Sequence, residues 1–379
     1  MPAHPRARTL AFALIAALAL SAIGCGTQPP GKPTAATPEP VAQVTQGGAT
    51  ASPFANPRTS RSATPEVPAA SRIISPTDTP SPGTPSLRTA PLPAHTRMAV
   101  ADPSGLVAPS CPRPSSVFKT VAISDLANAD VGPTDDSQKL QDGTNHSVAA
   151  SAWAYPASQV HDWMEGRGAP PGKKIAFLTF DDGPTGVTTP QIQKILRDEG
   201  VHATFFVVGR QVNDKTAPVL RQSIADGHAV AIHSYGHDYH YLYPQRVANA
   251  QHISCDLDWA RAAVRAALGL GYTSQAFRYP GGSLSWKGLA ASEAAAKASG
   301  MTWIDWNSLS GDADAHWPHA TPDDLVSNVF RSAQLEPAAQ RNALVILNHD
   351  FFPNPKTVAA LPTIIRKLKA AGYEFGIID

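Results

Sequence analysis

Two adjacent carboxylates, Asp181 and Asp182, follow the apolar segment 175–180 and precede a Gly-Pro pair. Burying two acids side by side costs free energy unless a cation compensates their charge. A cation site is therefore one interpretation of this motif. A solvated turn is the other, because Asp-Gly is common in turns. The motif alone does not separate the two.

Two histidines four residues apart, His233 and His237, lie at and just after the end of a second apolar segment, 229–233. Neutral imidazole nitrogens at this spacing can converge on one metal ion. A histidine-rich surface loop is the alternative, and this motif alone slightly favours that alternative.

Three further polar motifs, which contain Arg278, Asp305 and His349, each end a predicted strand. Taken singly, they could be a surface cation, a helix cap and an edge histidine. The carboxyl ends of strands in a (β/α) barrel meet on one face, where active sites form. Five polar motifs at corresponding strand ends therefore favour one shared functional site.

Strand and helix signals alternate after residue 173, with turn and capping residues between them. We predict strands at 175–180, 203–208, 229–233, 275–279, 301–306, 343–348 and 373–378, and helices at 191–199, 218–225, 256–268, 288–298, 323–333 and 357–371. Repeated strand–helix units with short links predict an α/β fold with a parallel sheet or barrel.

In chain order, the motifs TFDDGP, HSYGH, FRYPGG, DWN and LNHD resemble the five motifs of the polysaccharide deacetylase family, the NodB-homology domain of carbohydrate esterase family 4. The resemblance covers residues 173–379. Five motifs in the family's order make it highly specific. It implies a distorted (β/α) barrel with fewer than eight units and one divalent metal ion, commonly zinc, with cobalt or another divalent ion as alternatives.

The resemblance implies a role for each matching residue on the metal side of the site. Asp182, His233 and His237 would bind the metal ion, leaving coordination positions for water and substrate. Asp181 would act as the general base. Arg278 would pair with Asp181, orient it and hold its pKa down.

On the leaving-group side, the resemblance implies that His349 is the general acid and that Asp305 orients its imidazole. The backbone N–H of Gly281 would stabilise the oxyanion. Trp306 and Leu347 would form an apolar slot for the acetyl methyl group. Ordinary core packing explains these last two residues about equally well.

Composition divides the 379-residue chain, because its 36 prolines are concentrated before residue 115. We predict a disordered linker rich in Pro, Thr, Ser and Ala over 25–114, an unassigned segment over 115–172 and the deacetylase-like domain over 173–379. A formal net charge of +1 gives no broad basic field, which argues against a nucleic-acid partner.

The first 24 residues predict an exported protein, because two arginines precede a long uncharged segment. We expect a lipoprotein-type signal peptide, with lipidated Cys25 anchoring the chain to the outer face of the membrane or in the cell wall. An ordinary signal peptide is the alternative, since Ala22 stands where leucine is usual. Cys111 and Cys255 would then remain, either as a disulfide or as two free thiols.

The sequence as a whole predicts a monomeric, metal-dependent hydrolase that removes N-acetyl groups from a cell-wall polysaccharide. N-acetylglucosamine of peptidoglycan is the leading substrate, because the RYPGG motif around Gly281 resembles a bacterial subgroup that acts on it. Chitin oligomers and xylan are alternatives, as is a non-catalytic wall-binding module on the same fold. A non-haem iron oxygenase would also use two histidines and a carboxylate, but Asp181 and His349 suit hydrolysis better.

Overall fold

The computed structural model describes Cys111 and residues 135–379. The predicted signal peptide, Cys25 and all of the predicted linker except Cys111 lie outside the described residues. Among the residues that are described, no helix is long and apolar enough to cross a membrane.

The described residues form alternating strands and helices. The strands are β1 (Ala154–Tyr155), β2 (Lys174–Asp181), β3 (Ala203–Val208), β4 (Ala229–Ser234), β5 (Ala276–Phe277), β6 (Thr302–Trp303), β7 (Ser308–Leu309), β8 (Ala343–His349), β9 (Tyr373–Phe375) and β10 (Ile377–Ile378). The helices are α1 (Ala157–Met164), α2 (Thr188–Glu199), α3 (Ala217–Ala225), α4 (Tyr239–Leu242), α5 (Ala250–Leu268), α6 (Ala290–Ala298), α7 (Pro322–Ala333) and α8 (Pro355–Ala370). Short 3-10 turns lie at Asp136–Gln138, Ala149–Ala152, Gly209–Gln211, Pro244–Arg246, Ser283–Ser285 and Gln340–Asn342.

An eight-stranded parallel sheet is the centre of the fold, with the order β6-β5-β4-β3-β2-β8-β7 and with β9 beside β2. It curls into a distorted (β/α) barrel, which confirms the predicted fold class. In the register of β2 and β8, Asp181 lies opposite His349. The candidate base and the candidate acid therefore end neighbouring strands at the same edge of the sheet.

The central strands are buried on both faces, as expected for a parallel sheet covered by helices. Every residue of β3 and β4 is buried, as is all of β2 after its first residue. Neighbouring side chains point to opposite sides, so Leu178 joins the cluster under the helices while Phe177 joins the cluster inside the barrel. This double burial gives the strands that carry the site a rigid base.

Part of the segment that the sequence left unassigned packs into the barrel. Strand β1 pairs in parallel with β10, with Ala154 opposite Ile377. Helix α1 buries Val160 and Trp163 in the same apolar cluster as the inner faces of β2 and β8. The core of the barrel therefore includes residues before the predicted boundary at 173.

Cys111 and Cys255 form a disulfide, with Cα atoms 5.3 Å apart and a sequence separation of 144 residues. This pairing answers the question that the sequence left open. Cys255 lies on α5 and is buried, so the bond ties a residue of the predicted linker to a core helix.

Replacing both Cys111 and Cys255 with serine should lower the free energy of unfolding by about 2–5 kcal/mol, because the bond restricts the unfolded chain over a long loop. Denaturant titration of the purified protein measures this difference. Reducing agent should produce the same loss in the wild-type protein and none in the double variant. Equal denaturation midpoints for the two proteins would contradict the prediction.

Candidate active site

Asp182, His233 and His237 lie together at the carboxyl ends of β2 and β4. The Asp182 Oδ1 atom is 3.5 Å from His233 Nε2 and 3.3 Å from His237 Nε2, and the three donor atoms lie within 4.8 Å of one another. Asp182 Oδ1 is buried without a hydrogen-bond partner among the described residues. An unpaired carboxylate oxygen between two imidazoles fits a cation, and this donor set is typical of zinc.

The orientation of His233 suits metal binding. Its Nδ1 is 3.0 Å from the backbone oxygen of Arg278, a group that only accepts. Nδ1 therefore carries the proton, and Nε2 keeps its lone pair toward Asp182. Burial lowers the pKa of His233 to about 4, so the imidazole is neutral near pH 7, as a ligand must be.

A carboxylate on α5 holds the loop between the two histidines. Asp256 accepts hydrogen bonds from the backbone N–H groups of Tyr235, at 2.6 Å, and Gly236, at 3.1 Å. The backbone N–H of His237 donates to Ser234 Oγ at 2.8 Å. These bonds fix the backbone on which His237 stands. Asp256 was not singled out from the sequence.

Asp181 forms a buried ion pair with Arg278, whose Nη1 donates to Asp181 Oδ1 at 2.7 Å. Burial raises the pKa of Asp181 to about 6, and the positive charge of Arg278 limits that rise. The carboxylate is therefore ionised near pH 7. Its second oxygen, Oδ2, lies 3.9 Å from His233 Nε2 and is free to accept a proton beside the three candidate ligands.

The guanidinium group of Arg278 is held on every side. Its Nε donates to the backbone oxygen of Ile304 at 2.8 Å, and its Nη2 donates to that of Asp305 at 3.0 Å. Nη1 also donates to Thr179 Oγ1 at 2.8 Å. The ring of Phe206 lies 4.2 Å below the guanidinium carbon, a cation–π contact. The guanidinium of Arg278 therefore has little freedom to move and can hold the carboxylate of Asp181 in one orientation.

The structure contradicts the predicted role of Asp305 as the partner of His349. The Asp305 carboxylate instead accepts from Ser283, from the backbone N at 3.0 and 3.1 Å and from Oγ at 2.6 Å. The reason lies in the sheet order, because β6 ends at Trp303 and pairs with β5. Asp305 therefore supports the turn after the third motif and not β8.

Asp312 is the residue that orients His349. It follows β7, the strand that pairs with β8. Its Oδ1 is 2.8 Å from His349 Nδ1, and its Oδ2 accepts from the backbone N of His349 at 2.8 Å. Asn354 Nδ2 at 3.0 Å and Thr357 Oγ1 at 2.5 Å also donate to Oδ2. Asp312 was not predicted from the sequence, because one strand was expected at 301–306 and the strand that precedes Asp312, β7, lies beyond it.

The contact with Asp312 makes His349 a strong candidate for the general acid. Burial opposes the charged imidazole, but the charge of Asp312 and its hydrogen bond outweigh burial and raise the pKa of His349 to about 9. Since Nδ1 is committed to Asp312, the Nε2 proton is the one available for donation near pH 7.

Comparison with known proteins identifies the family of this chain. The family model for polysaccharide deacetylase matches residues 168–302. A peptidoglycan-N-acetylglucosamine deacetylase of Bacillus cereus is 30% identical over 205 residues, which cover 54% of this chain and 68% of that protein. The chain belongs to the polysaccharide deacetylase family. This confirms the family predicted from the five motifs and makes the protein a hydrolase.

Two further similarities bear on the extent of the match. A Streptococcus mutans CE4 esterase structure is 38% identical with a TM-score of 0.61, and the alignment covers 65% of this chain and 100% of that chain. The bifunctional xylanase/deacetylase of Pseudobutyrivibrio xylanivorans is 32% identical over 204 residues, which are 54% of this chain and only 29% of that protein. The similarity to the latter therefore concerns one part of a larger enzyme.

Three predicted site residues remain: Gly281, Trp306 and Leu347. Gly281 has a φ of +78°, a left-handed conformation that glycine adopts at little cost. Trp306 and Leu347 are each 7% exposed and belong to the apolar cluster inside the barrel. An acetyl slot formed by these two side chains stays a prediction.

Proposed function

We propose that this deacetylase hydrolyses the N-acetyl group of N-acetylglucosamine in peptidoglycan and releases acetate, with one divalent ion, zinc by preference. The observation that carries the proposal is that the Asp182–His233–His237 cluster, the carboxylate of Asp181 and the imidazole of His349 lie at the same edge of the sheet. The name of the Bacillus cereus relative supports peptidoglycan as the substrate.

The residues divide the reaction between two sides of the acetyl group. A divalent ion held by the three ligands would act as a Lewis acid toward the acetyl carbonyl. Asp181 takes a proton from the attacking water, and Arg278 keeps Asp181 ionised and oriented. The backbone N–H of Gly281 donates to the developing oxyanion.

Collapse of the tetrahedral intermediate breaks the C–N bond, and the nitrogen must gain a proton to leave as an amine. His349 supplies that proton from Nε2 while Asp312 holds Nδ1. The products are acetate and a glucosamine unit. One water molecule is consumed, and each transferred proton has a named donor or acceptor.

We further propose that the protein is exported and anchored by a lipid on Cys25, where peptidoglycan is accessible. The Cys111–Cys255 disulfide supports export, because such bonds persist in oxidising compartments outside the cytoplasm. Labelling of expressing cells with a fatty-acid analogue tests the anchor. A Cys25→Ser variant that still carries the label would contradict it.

Acetate release from purified cell wall tests the main proposal. The wild-type protein, supplied with zinc, should release acetate from peptidoglycan faster than from acetylated xylan or chitin oligomers. Xylan belongs in this panel because a relative is named a xylanase/deacetylase. Faster release from xylan or chitin oligomers would transfer the proposal to that polymer. Binding to the wall without any release would show a non-catalytic module.

Removing one candidate metal ligand should weaken metal binding and lower activity together. The His237→Ala variant should bind zinc at least about 10–100-fold more weakly, because two ligands hold a metal ion less well than three. Competition with a coloured chelator measures the affinity. The matched control is His240→Ala, an exposed histidine three residues away. Equal loss of zinc affinity in both variants would contradict the assignment of His237.

A further inference from the structure

Tyr239 lies next to the Asp182–His233–His237 cluster and has no role in the reaction proposed above. It is the first residue of α4, two positions after His237. The Asp238 carboxylate caps this helix by accepting from the backbone N–H groups of His240, at 2.9 Å, and Tyr241, at 3.1 Å. The cap fixes the backbone from which the Tyr239 side chain extends.

The ring of Tyr239 is packed between the second and third motifs. Its centroid lies 5.1 Å from that of His237 and 5.2 Å from that of Trp286. A third ring, that of Tyr243, lies 6.4 Å away. Contacts on several sides hold the phenol ring in one orientation beside a candidate metal ligand.

The Tyr239 hydroxyl lies over Gly281. Its oxygen is 3.5 Å from the position that a Cβ atom on Gly281 would occupy, and Trp286 lies 3.3 Å from the same position. The absence of a side chain at 281 therefore leaves room for the phenol beside Gly281, the residue whose backbone N–H we propose as an oxyanion donor. A larger residue at 281 would press against both aromatic side chains.

The Tyr239 side chain is half-buried, and its ring lies beside that of His237. A phenol has an ordinary pKa of about 10, so the hydroxyl keeps its proton near pH 7 and can donate it in a hydrogen bond. Within 135–379, no other group forms a hydrogen bond with this hydroxyl.

We propose that the Tyr239 hydroxyl donates a hydrogen bond to the acetyl oxygen of the substrate and stabilises the negative charge that water attack creates there. The inference rests on the proposed deacetylation. It adds a side-chain donor to the backbone donor of Gly281, on the side of the site that His237 borders. No bond to Tyr239 is made or broken, and its proton stays on the phenol throughout.

The test compares Tyr239→Phe with Tyr243→Phe, because each variant loses one hydroxyl and keeps its ring. Tyr243 is a matched control: its hydroxyl is buried without a partner in the described part of the chain, and its ring stacks on the same Trp286 at 3.9 Å. Zinc content and thermal stability are measured for both variants, so that a loss of metal or of folding is seen directly.

Tyr239→Phe should lower kcat by about 100-fold, as expected for loss of one oxyanion donor, with KM changed by less than about threefold. Tyr243→Phe should match the wild-type protein. A kcat for Tyr239→Phe within about threefold of wild type, or a loss confined to KM, would overturn the inference. Equal losses of kcat in the two variants would also overturn it.

Acetate binding to the zinc-loaded protein, measured by calorimetry, gives a second readout that does not depend on the polymer. Acetate should bind about tenfold more weakly to Tyr239→Phe than to the wild type, because one hydrogen bond to a charged group is lost. It should bind Tyr243→Phe as tightly as the wild type. If peptidoglycan is not a substrate but a chitin oligomer is, the kinetic comparison uses that oligomer. If no polymer is deacetylated, the proposed function fails, while equal acetate affinity in all three proteins would separately refute the role of Tyr239.

Discussion

Replacing Asp181 with asparagine should lower kcat by about 10²–10⁴-fold, the usual contribution of a positioned general base. An amide oxygen keeps the shape of the side chain but cannot take a proton from water. Because Asp181 pairs with Arg278 and lies outside the cluster of three candidate ligands, zinc content should remain at one ion per chain. Acetate release and metal analysis of the same preparation measure both effects.

The same substitution also removes the buried counter-charge of Arg278, which is 0% exposed. Breaking such a pair commonly costs about 3–5 kcal/mol of stability, so the variant needs a control for weakened folding. Thr179→Val removes another hydrogen bond of Arg278 Nη1 and leaves the base in place. It should lose stability with far less loss of kcat. Loss of zinc from Asp181→Asn, or full activity, would contradict the role of Asp181 as a base.

The central strands could be predicted from sequence because a short, mainly apolar segment is itself the signal of a strand buried on both faces. The predicted strand 203–208 has the observed bounds of β3, and 343–348 misses β8 by one residue. Both segments are mainly apolar, with Thr204 and Asn348 as the exceptions, which suits strands buried on two faces. The end of α2 was also predicted, since Gly200 has the left-handed φ of +61° that closes a helix.

The chain between the third motif and α7 was predicted less well, and one functional residue was misassigned there. A single strand was predicted at 301–306, whereas the structure has the two short strands β6 and β7 on opposite edges of the sheet. Which strand lies beside β8 depends on the closure of the barrel, and local sequence does not encode that. The choice of Asp305 over Asp312 followed from this error.

Other contacts were missed because their partners are distant in the chain. Asp256 accepts hydrogen bonds from the backbone N–H groups of Tyr235 and Gly236, which precede it by 21 and 20 residues. No short motif therefore contains both the donors and the acceptor. Strand β1 has only two residues, too few for a periodic pattern. The five motifs contain the three candidate ligands and the candidate base, which the fold brings together, but the residues that support them required the three-dimensional fold.

Replacing Asp312 with asparagine should also lower activity strongly, and the pH dependence of kcat/KM should reveal this loss. The proposed mechanism requires ionised Asp181 and protonated His349, so kcat/KM should rise through about pH 6 and fall through about pH 9. Without the charge and hydrogen bond of Asp312, only the smaller effects of Asp182 and Asp181 would oppose burial, so the pKa of His349 should fall well below 9. The alkaline limb should therefore move to lower pH, with a loss of about 100-fold near pH 8.

The pairing of His349 with Asp312 should also make the free energy of unfolding depend on pH. The folded pKa of His349 lies above its ordinary value of 6.5, so its pairing with Asp312 stabilises the fold fully below pH 6.5 and loses that effect as pH rises through about 9. The difference in unfolding free energy between wild type and Asp312→Asn should therefore be larger at pH 6 than at pH 10. Denaturant titrations at the two pH values measure it.

Asp305→Asn is the control that separates the two aspartates, because Asp305 contacts Ser283 and not His349. That variant should keep the alkaline limb of kcat/KM near pH 9, whatever it does to the turn after the third motif. If Asp305→Asn moved the limb and Asp312→Asn did not, the proton of His349 would be governed by the residue that the sequence first suggested. The two pH profiles together therefore test whether Asp312 or Asp305 controls the pKa of His349, the proposed general acid.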